Sequence, residues 1–246
     1  GMRIEDRTRT FIIAMERTVV PENFSFRMTD EEYRVLEKIK NSIPVCYLAD
    51  HADFALGIVT GNNKKFLSAE KTENSEMVLK GTDICKYHIN PVKQYLRFEP
   101  EQFQQVAPLE IYRAPEKLLY RFISNQLVVA YDDRQMLSLN SCNIVIPKIE
   151  GMQIKYILAI LNSSVSQFVY RKEFHSIKVL RAHMEHIPIP RVGKAIQNEI
   201  IAMTEPLICG MGKEAAETCQ KRLDCRIMDL FRLSAEEQWI IRHALH

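Results

Sequence analysis

The spacing of apolar and polar positions changes its period along the chain, and each change predicts an element. Near the N-terminus the run Phe11-Ile12-Ile13-Ala14-Met15 predicts a strand. Thr29-Asp30-Glu31-Glu32 has the Thr-x-x-Glu form of a capping box. The helix it opens carries Tyr33, Leu36 and Ile39 on one face and is expected to stop near Asn41, ahead of Pro44. Between about 45 and 150 short β-rich runs alternate with turns, at Phe54 to Val59, Met77 to Leu79, Leu127 to Tyr131 and Asn143 to Ile146. From 153 the period becomes helical: Ile154, Ile157, Leu158, Leu161, Val165 and Phe168 predict one amphipathic helix reaching Arg171 or Lys172. Beyond Ile187-Pro188-Ile189-Pro190, Ile196, Ile200 and Met203 mark a helix ending around Pro206, and Leu223, Ile227 and Leu230 mark a second. Ser234-Ala235-Glu236-Glu237 is another capping box and opens a last helix through Trp239 and Ile240.

The expected fold is therefore α+β, an irregular mixed β-sheet domain with packed helices followed by a helical C-terminal arm whose apolar faces need a partner. The expected divisions are 1–38, 39–190 and 191–246. At 246 residues the chain can hold one sizeable core with an appendage, or two small domains. With 46% hydrophobic and 26% charged residues its composition is that of a folded globular chain. No apolar run has the length of a membrane span and no signal pattern opens the chain, so a cytoplasmic location is expected and no membrane. Gly1 ahead of Met2 reads as a scar of tag removal.

A net charge of only +2 excludes a histone-like mode of nucleic-acid binding, so any basic surface must be local. Lys64 to Arg97 holds seven Lys or Arg against four acidic residues, and Arg171 to Lys194 six against two, with His175, His183 and His186 added. Patches like these supply phosphate contacts, and solvated faces produce the same counts. Six scattered cysteines without a secretory signal are expected to be reduced. Cys85 with His88, and His183 with His186, have ligand spacing, but neither has a second pair at finger distance, and no metal site is expected.

The segment with the most chemistry is Gly57-Ile58-Val59-Thr60-Gly61-Asn62-Asn63-Lys64-Lys65-Phe66, an apolar strand breaking into a polar loop that ends on an aromatic anchor. Asn pairs bidentately with an adenine edge and Lys reaches guanine or phosphate, as on a DNA-reading surface. An ordinary polar hairpin tip has the same composition. Catalytic signatures are absent. No Asp or Glu has a Lys two positions later, as a common restriction-type nuclease requires for its metal. The sole Asn-Pro, Asn90-Pro91, is followed by Val92 instead of the Pro-aromatic pair of an amino-methyltransferase, and Gly210-Met211-Gly212 falls between two helical patterns. Phosphate-binding and hydrolase motifs are also missing, so no catalytic residue is assigned.

Several blocks, in order, resemble the TaqI-like C-terminal specificity domain, the target-recognition module of restriction-modification enzymes. Gly57 to Phe66 is similar to its Gly-Ile-x-Thr-Gly-x-Asn-x-x-Phe, and Leu79-Lys80-Gly81-Thr82-Asp83-Ile84 to its Leu-(Lys/Arg)-Gly-x-Asp-Ile, with Tyr87 close behind. Asn140 to Val145 resembles the strand after a variable recognition hairpin. Leu158 to Ser163 with Phe168, Leu180-Arg181 and Ile187 to Pro190 resemble the closing helix and Leu-Pro-Ile-Pro, so the likeness spans roughly 39 to 190. Leu223-Asp224 through Glu237 is similar to the helical tail that follows such domains.

The resemblance implies a sequence-specific double-stranded DNA recognition module of a restriction-modification, phage-defence system. It acts with a methyltransferase or endonuclease domain or subunit. No such region precedes it in these 246 residues, so the chain is expected to be non-catalytic by itself, with S-adenosylmethionine and Mg held only by the partner. Carried onto the chain, Asn62, Asn63, Lys64 and Lys65 could contact bases or phosphate; alternatively Thr60 and Asn62 brace the fold while variable loops read. The hairpin Asp132 to Ser138 is the better specificity candidate, with Arg134 suited to guanine and Gln135 to adenine. Lys80, Lys86, Arg171 and Lys172 suit phosphate positioning. Two other readings stand beside this one: a nuclease using Asp132 and Asp133 as metal ligands, and a protein-interaction module built on the C-terminal helices.

Overall fold

The computed structural model describes the backbone of residues 2–5 and 10–13, and residues 28–174 and 176–245 in full. The first elements are an antiparallel pair, β1 (Met2–Glu5) and β2 (Thr10–Ile13). Ala14 and Met15 of the expected first strand lie outside the described residues, as does His175. Helix α1 (Asp30–Asn41) starts on the expected capping box: Glu32 N–H donates to Thr29 Oγ1 at 3.1 Å, and Thr29 N–H donates to the Glu32 carboxylate at 3.0 Å. The other Glu32 oxygen holds Lys172 at 2.7 Å.

The middle of the chain forms β3 (Val45–Cys46), β4 (Ala52–Ala55), a single helical turn α2 (Asn63–Phe66), β5 (Leu67–Ser68), β6 (Ser75–Leu79), β7 (Tyr95–Arg97), the short α3 (Leu109–Tyr112), β8 (Lys117–Arg121), β9 (Val129–Asp132), β10 (Leu137–Ser138) and β11 (Cys142–Pro147). These build two four-stranded sheets: an antiparallel one in the order β4-β11-β8-β9, and a mixed one in the order β10-β6-β7-β5. The first sheet is the middle layer. Because successive side chains alternate across a strand, Leu118, Tyr120, Val129, Tyr131 and Val145 face the helices, while Leu119, Ala130 and Ile144 face the second sheet. The expected run from Phe54 to Val59 stops at Ala55 as a strand; Ile58 and Val59 make single bridges to Leu139 and Gln105.

The helical layer comprises α4 (Ile154–Asn162), α5 (Ser164–Glu173), α6 (Arg181–Glu185), α7 (Lys194–Ile208), α8 (Lys213–Leu230) and α9 (Ala235–Ala244), with β12 (Ile189–Pro190) returning to pair with β3. The single helix expected from 153 to 172 is broken at Ser163, whose backbone is extended. Ser163 Oγ donates to Ile160 O at 2.7 Å and accepts from Ser166 N–H, local bonds that compete with the helical ladder. Asp224 of α8 then takes Ser164 N–H at 2.8 Å and Ser164 Oγ at 2.6 Å, placing a carboxylate where the α5 dipole favours one. Helix α7 also passes the expected stop at Pro206 and ends at Ile208.

Two buried amides extend the backbone pairing along the β9 edge, next to the parallel bridge from Tyr87 to Ala130. Asn162 accepts from Val129 N–H at 3.1 Å and donates to Val129 O at 2.8 Å; Gln167 makes the same two-way pairing with Leu127 at 2.9 and 3.1 Å. Such pairing satisfies the buried N–H groups of Val129 and Leu127, while Val129 O also accepts from Tyr87 N–H at 2.7 Å. The C-terminal helices are not a free arm. Ile200, Leu207, Leu223, Ile227, Phe231, Ile240 and Ile241 share one core with Leu36 and Ile39 of α1 and with α4 and α5, so the partner their apolar faces needed is this chain's own body. At about 1.5–3 kcal/mol for each such side chain, that burial is the main force closing the layer.

His183 is set for a pH effect. Its Nδ1 accepts from Leu180 N–H at 3.2 Å, and its ring stacks on Phe174 with centroids 4.5 Å apart. Desolvation lowers its pKa below the ordinary value, and His186 adds to the lowering against a backbone bond at Lys178. The unfolded chain therefore binds the proton more readily, and stability is full above about pH 6.5 and falls as pH drops toward the folded pKa. Denaturant titrations at pH 7 and pH 5 should show a loss that shrinks in His183→Asn, whose Oδ1 can accept the same N–H without titrating.

Candidate nucleic-acid interface

The register of the mixed sheet decides which loops share a surface. β10 runs parallel to β6, with Leu137 opposite Val78; β7 is antiparallel to β6, with Ser75 opposite Arg97; β5 is antiparallel to β7, with Leu67 opposite Leu96. β5, β6 and β10 therefore run the same way, and the segments feeding β5 and β10 emerge at one end of the sheet. Those segments are the Asn62 to Phe66 turn and the Asp132 to Met136 hairpin. Three strand spacings separate them, about 14 Å. Arg97, at the end of β7, lies between.

The turn is braced from within. Asn62 Oδ1 accepts from Lys65 N–H at 3.2 Å as an N-cap. Thr60 is 3% exposed and donates to Asn63 Oδ1 at 2.6 Å. Thr60 is thus scaffold, and both asparagine oxygens are engaged. Phe66 is buried edge-on against Phe103 at 5.1 Å, as the anchor role requires. Lys65 Nζ bonds Gln102 Oε1 at 2.6 Å and lies 4.8 Å from the Phe66 ring; Lys64 is exposed.

Beneath the hairpin lies a fully buried ion pair. Lys117 Nζ sits 2.5 Å from Asp132 Oδ2 and donates to Tyr112 O at 2.6 Å. Desolvation pulls the Lys117 pKa down against the pull of Asp132. Asp132 also accepts from Arg134 N–H at 2.9 Å and Met136 N–H at 3.0 Å, so its carboxylate shapes the whole turn. Gln135 takes a left-handed φ of 56°, and its carbonyl accepts from Arg113 Nη1 at 2.8 Å. Arg113 is itself fixed by Glu76 through bonds of 2.8 and 2.6 Å. A non-glycine residue held in that region costs about 1–2 kcal/mol, and the device presents the exposed side chains of Arg134 and Gln135 outward.

Other expected contacts lie elsewhere. Lys80 is exposed at the opposite end of β6. Lys86 donates to Asn162 O at 3.2 Å, and burial lowers its pKa. Arg171 donates to Leu245 O at 2.6 Å, and buried Lys172 pairs with Glu32. The last three hold helix ends and the core, and are not gathered with the two loops at the shared end of the mixed sheet. Asp132 is likewise committed to Lys117, which leaves no carboxylate pair with Asp133 for a metal. Among the described residues no cluster of three or more His, Cys, Asp or Glu could hold one. No helix among them is long and apolar enough to cross a membrane.

Residues 76–189 match the family of the TaqI-like C-terminal specificity domain. This segment is a TaqI-like specificity domain. The Gly57 to Phe66 block precedes the matched segment but is tied to it, since Gly57 N–H donates to Asn143 Oδ1 at 3.2 Å and Ile58 bridges Leu139. No curated protein sequence matches the chain. Among solved structures the fold resembles the type IIL restriction-modification enzyme MmeI in complex with DNA, at 13% identity and a TM-score of 0.54 over 81% of this chain and 35% of MmeI. It also resembles the type IIG restriction endonuclease BpuSI, at 12% identity and a TM-score of 0.50 over 88% of this chain and 32% of BpuSI. The HsdS subunit from Thermoanaerobacter tengcongensis superposes less closely, at 15% identity and a TM-score of 0.43 over 87% of this chain and 50% of HsdS. At these identities the likeness is one of fold, and the chain spans about a third of the length of MmeI and BpuSI.

Proposed function

We propose that the chain is the sequence-specific double-stranded DNA recognition module of a cytoplasmic restriction-modification system, non-catalytic by itself. It works with a methyltransferase or endonuclease domain or subunit that holds S-adenosylmethionine and Mg. The observation that carries this is the shared end of the mixed sheet, most of which lies in the segment that matches the TaqI-like specificity domain, where two polar loops stand about 14 Å apart. A B-DNA major groove is about 12 Å wide, so one loop can enter it while the other meets the flanking backbone. Arg134 and Gln135 are the base-reading pair, while Lys64 and Lys65 suit phosphate.

Filter binding to duplex DNA at rising salt tests it: affinity should fall linearly with log salt, and no affinity at low salt, or no slope, would sink the idea. Replacing Arg134 and Gln135 together by Ala should relax sequence preference by about 5- to 150-fold at one or two positions while affinity for non-specific DNA stays close to normal. Equal loss on every sequence would move both residues to backbone contact.

A further inference from the structure

Beside the braced turn, at the same end of the sheet, lies a polar relay that the residues assigned so far do not explain. Arg97 Nε sits 2.8 Å from Glu99 Oε1, and its side chain is 45% exposed. Gln102 Nε2 donates to the other oxygen, Glu99 Oε2, at 2.6 Å. Gln102 Oε1 in turn accepts from Lys65 Nζ at 2.6 Å. The guanidinium carbon of Arg97 and the ammonium of Lys65 lie 5.8 and 4.8 Å from the centre of the Phe66 ring, which is buried against Phe103.

Each link fixes the next. Phe66 is immobile because it is packed, and Glu99 is held at both oxygens, so its carboxylate is a fixed point and not a floating counter-ion. The carboxylate of Glu99 comes closest to Arg97 at Nε, as an ion pair. That is the one guanidinium nitrogen not needed for a two-pronged contact, and it leaves both Nη groups without a hydrogen-bond partner among the described residues. A planar fork with a carboxylate beside its Nε and its two prongs free matches the O6 and N7 acceptors of guanine. A phosphate contact needs only a cation within reach and would not require the relay. β7 adjoins β5 in the sheet, about 5 Å away, and lies about 10 Å from β10, so Arg97 stands between the two proposed DNA-contacting loops.

We propose that Arg97 reads a guanine of the target, with Glu99 as the positioning residue that aims it. The inference rests on the DNA-recognition reading. Selection of duplexes from a randomised library, with the 246-residue chain and its variants, tests it. The wild-type chain should select a site containing a guanine. R97A should lose discrimination at that one base pair by about 5- to 150-fold while keeping the others, and R97K should lose it too because an ammonium lacks the fork. E99Q, which leaves Arg97 in place, should weaken the same position to a smaller extent with an unchanged melting temperature. Unchanged selection in R97A and E99Q would overturn the proposal. So would equal loss on all sequences with a salt slope shallower by about 0.9, the mark of a phosphate contact. A wild-type chain that binds no duplex would overturn the recognition reading first, and this inference with it.

Discussion

Asp132→Ala is expected to destabilise the protein by about 3–5 kcal/mol and to abolish sequence preference in whatever fraction remains folded. The size follows from what is left behind. Both side chains of the Lys117–Asp132 pair are 0% exposed, so the variant strands a buried ammonium whose only other partner among the described residues is Tyr112 O. The Arg134 and Met136 N–H groups lose their acceptor at the same time, which removes the template of the turn. Changing Lys117 to Met and Asp132 to Leu together should recover the part of the loss that comes from the stranded ammonium, while the Met136 N–H and Tyr112 O stay unpaired, and should not restore preference. Urea denaturation gives the first quantity and duplex selection the second. A loss below about 1 kcal/mol in Asp132→Ala would mean that the pair is not buried as described.

Much of the architecture was legible because it lies in local chemistry. The two capping boxes at Thr29 and Ser234 each name a helix start, and both form. Strands β9 and β11 fall within a residue or two of the expected runs. What escaped depends on long-range pairing. β8 reads Lys-Leu-Leu-Tyr-Arg, with no alternation, because the middle strand of a sheet covered on both faces is apolar on both. Its Lys117 looks like an ordinary surface lysine until Asp132, fifteen residues away, is folded against it. The break at Ser163 was written in Asn162-Ser163-Ser164, three residues that favour local backbone bonds, but the apolar period ran across them.

The candidate site was partly legible for the same reason. Thr60, Asn62, Asn63 and Phe66 lie within ten residues of one another, so a local block reveals them, and Thr60 is buried with its hydroxyl on Asn63. Lys86, Arg171 and Lys172 were assigned by charge alone, and charge does not say whether a cation faces solvent or a helix end. Arg97 carried the opposite problem. It sat inside a counted basic stretch with nothing to single it out, and only the register of β7 beside β5, with Glu99 and Gln102 just beyond it, gives it a direction.

Gly57→Ala is expected to cost about 3 kcal/mol or more, a large effect for the addition of one methyl group. A Cβ at this position would sit 2.1 Å from Leu139 O, 2.3 Å from Leu139 C and 2.7 Å from Cys142 O. All three are backbone atoms at the turn between β10 and β11, so no rotamer change can relieve the overlap. The strand must move, and with it go Gly57 N–H to Asn143 Oδ1 and the exchange of Ile58 N–H with Ser138 O at 2.7 Å. Those bonds join the loop that carries Asn62 to Lys65 onto the hairpin that carries Arg134, so the variant should loosen the spacing between these two segments even where the fold survives. Gly61→Ala is the control. Gly61 has a φ of +73°, but its Cβ would meet the nearest atom, Gln104 Cβ, only at 3.3 Å, so the cost is the ordinary left-handed penalty of about 1–2 kcal/mol. Denaturant midpoints that rank Gly57→Ala as the milder of the two would show that the close approach of Gly57 to Leu139 is not what fixes this junction.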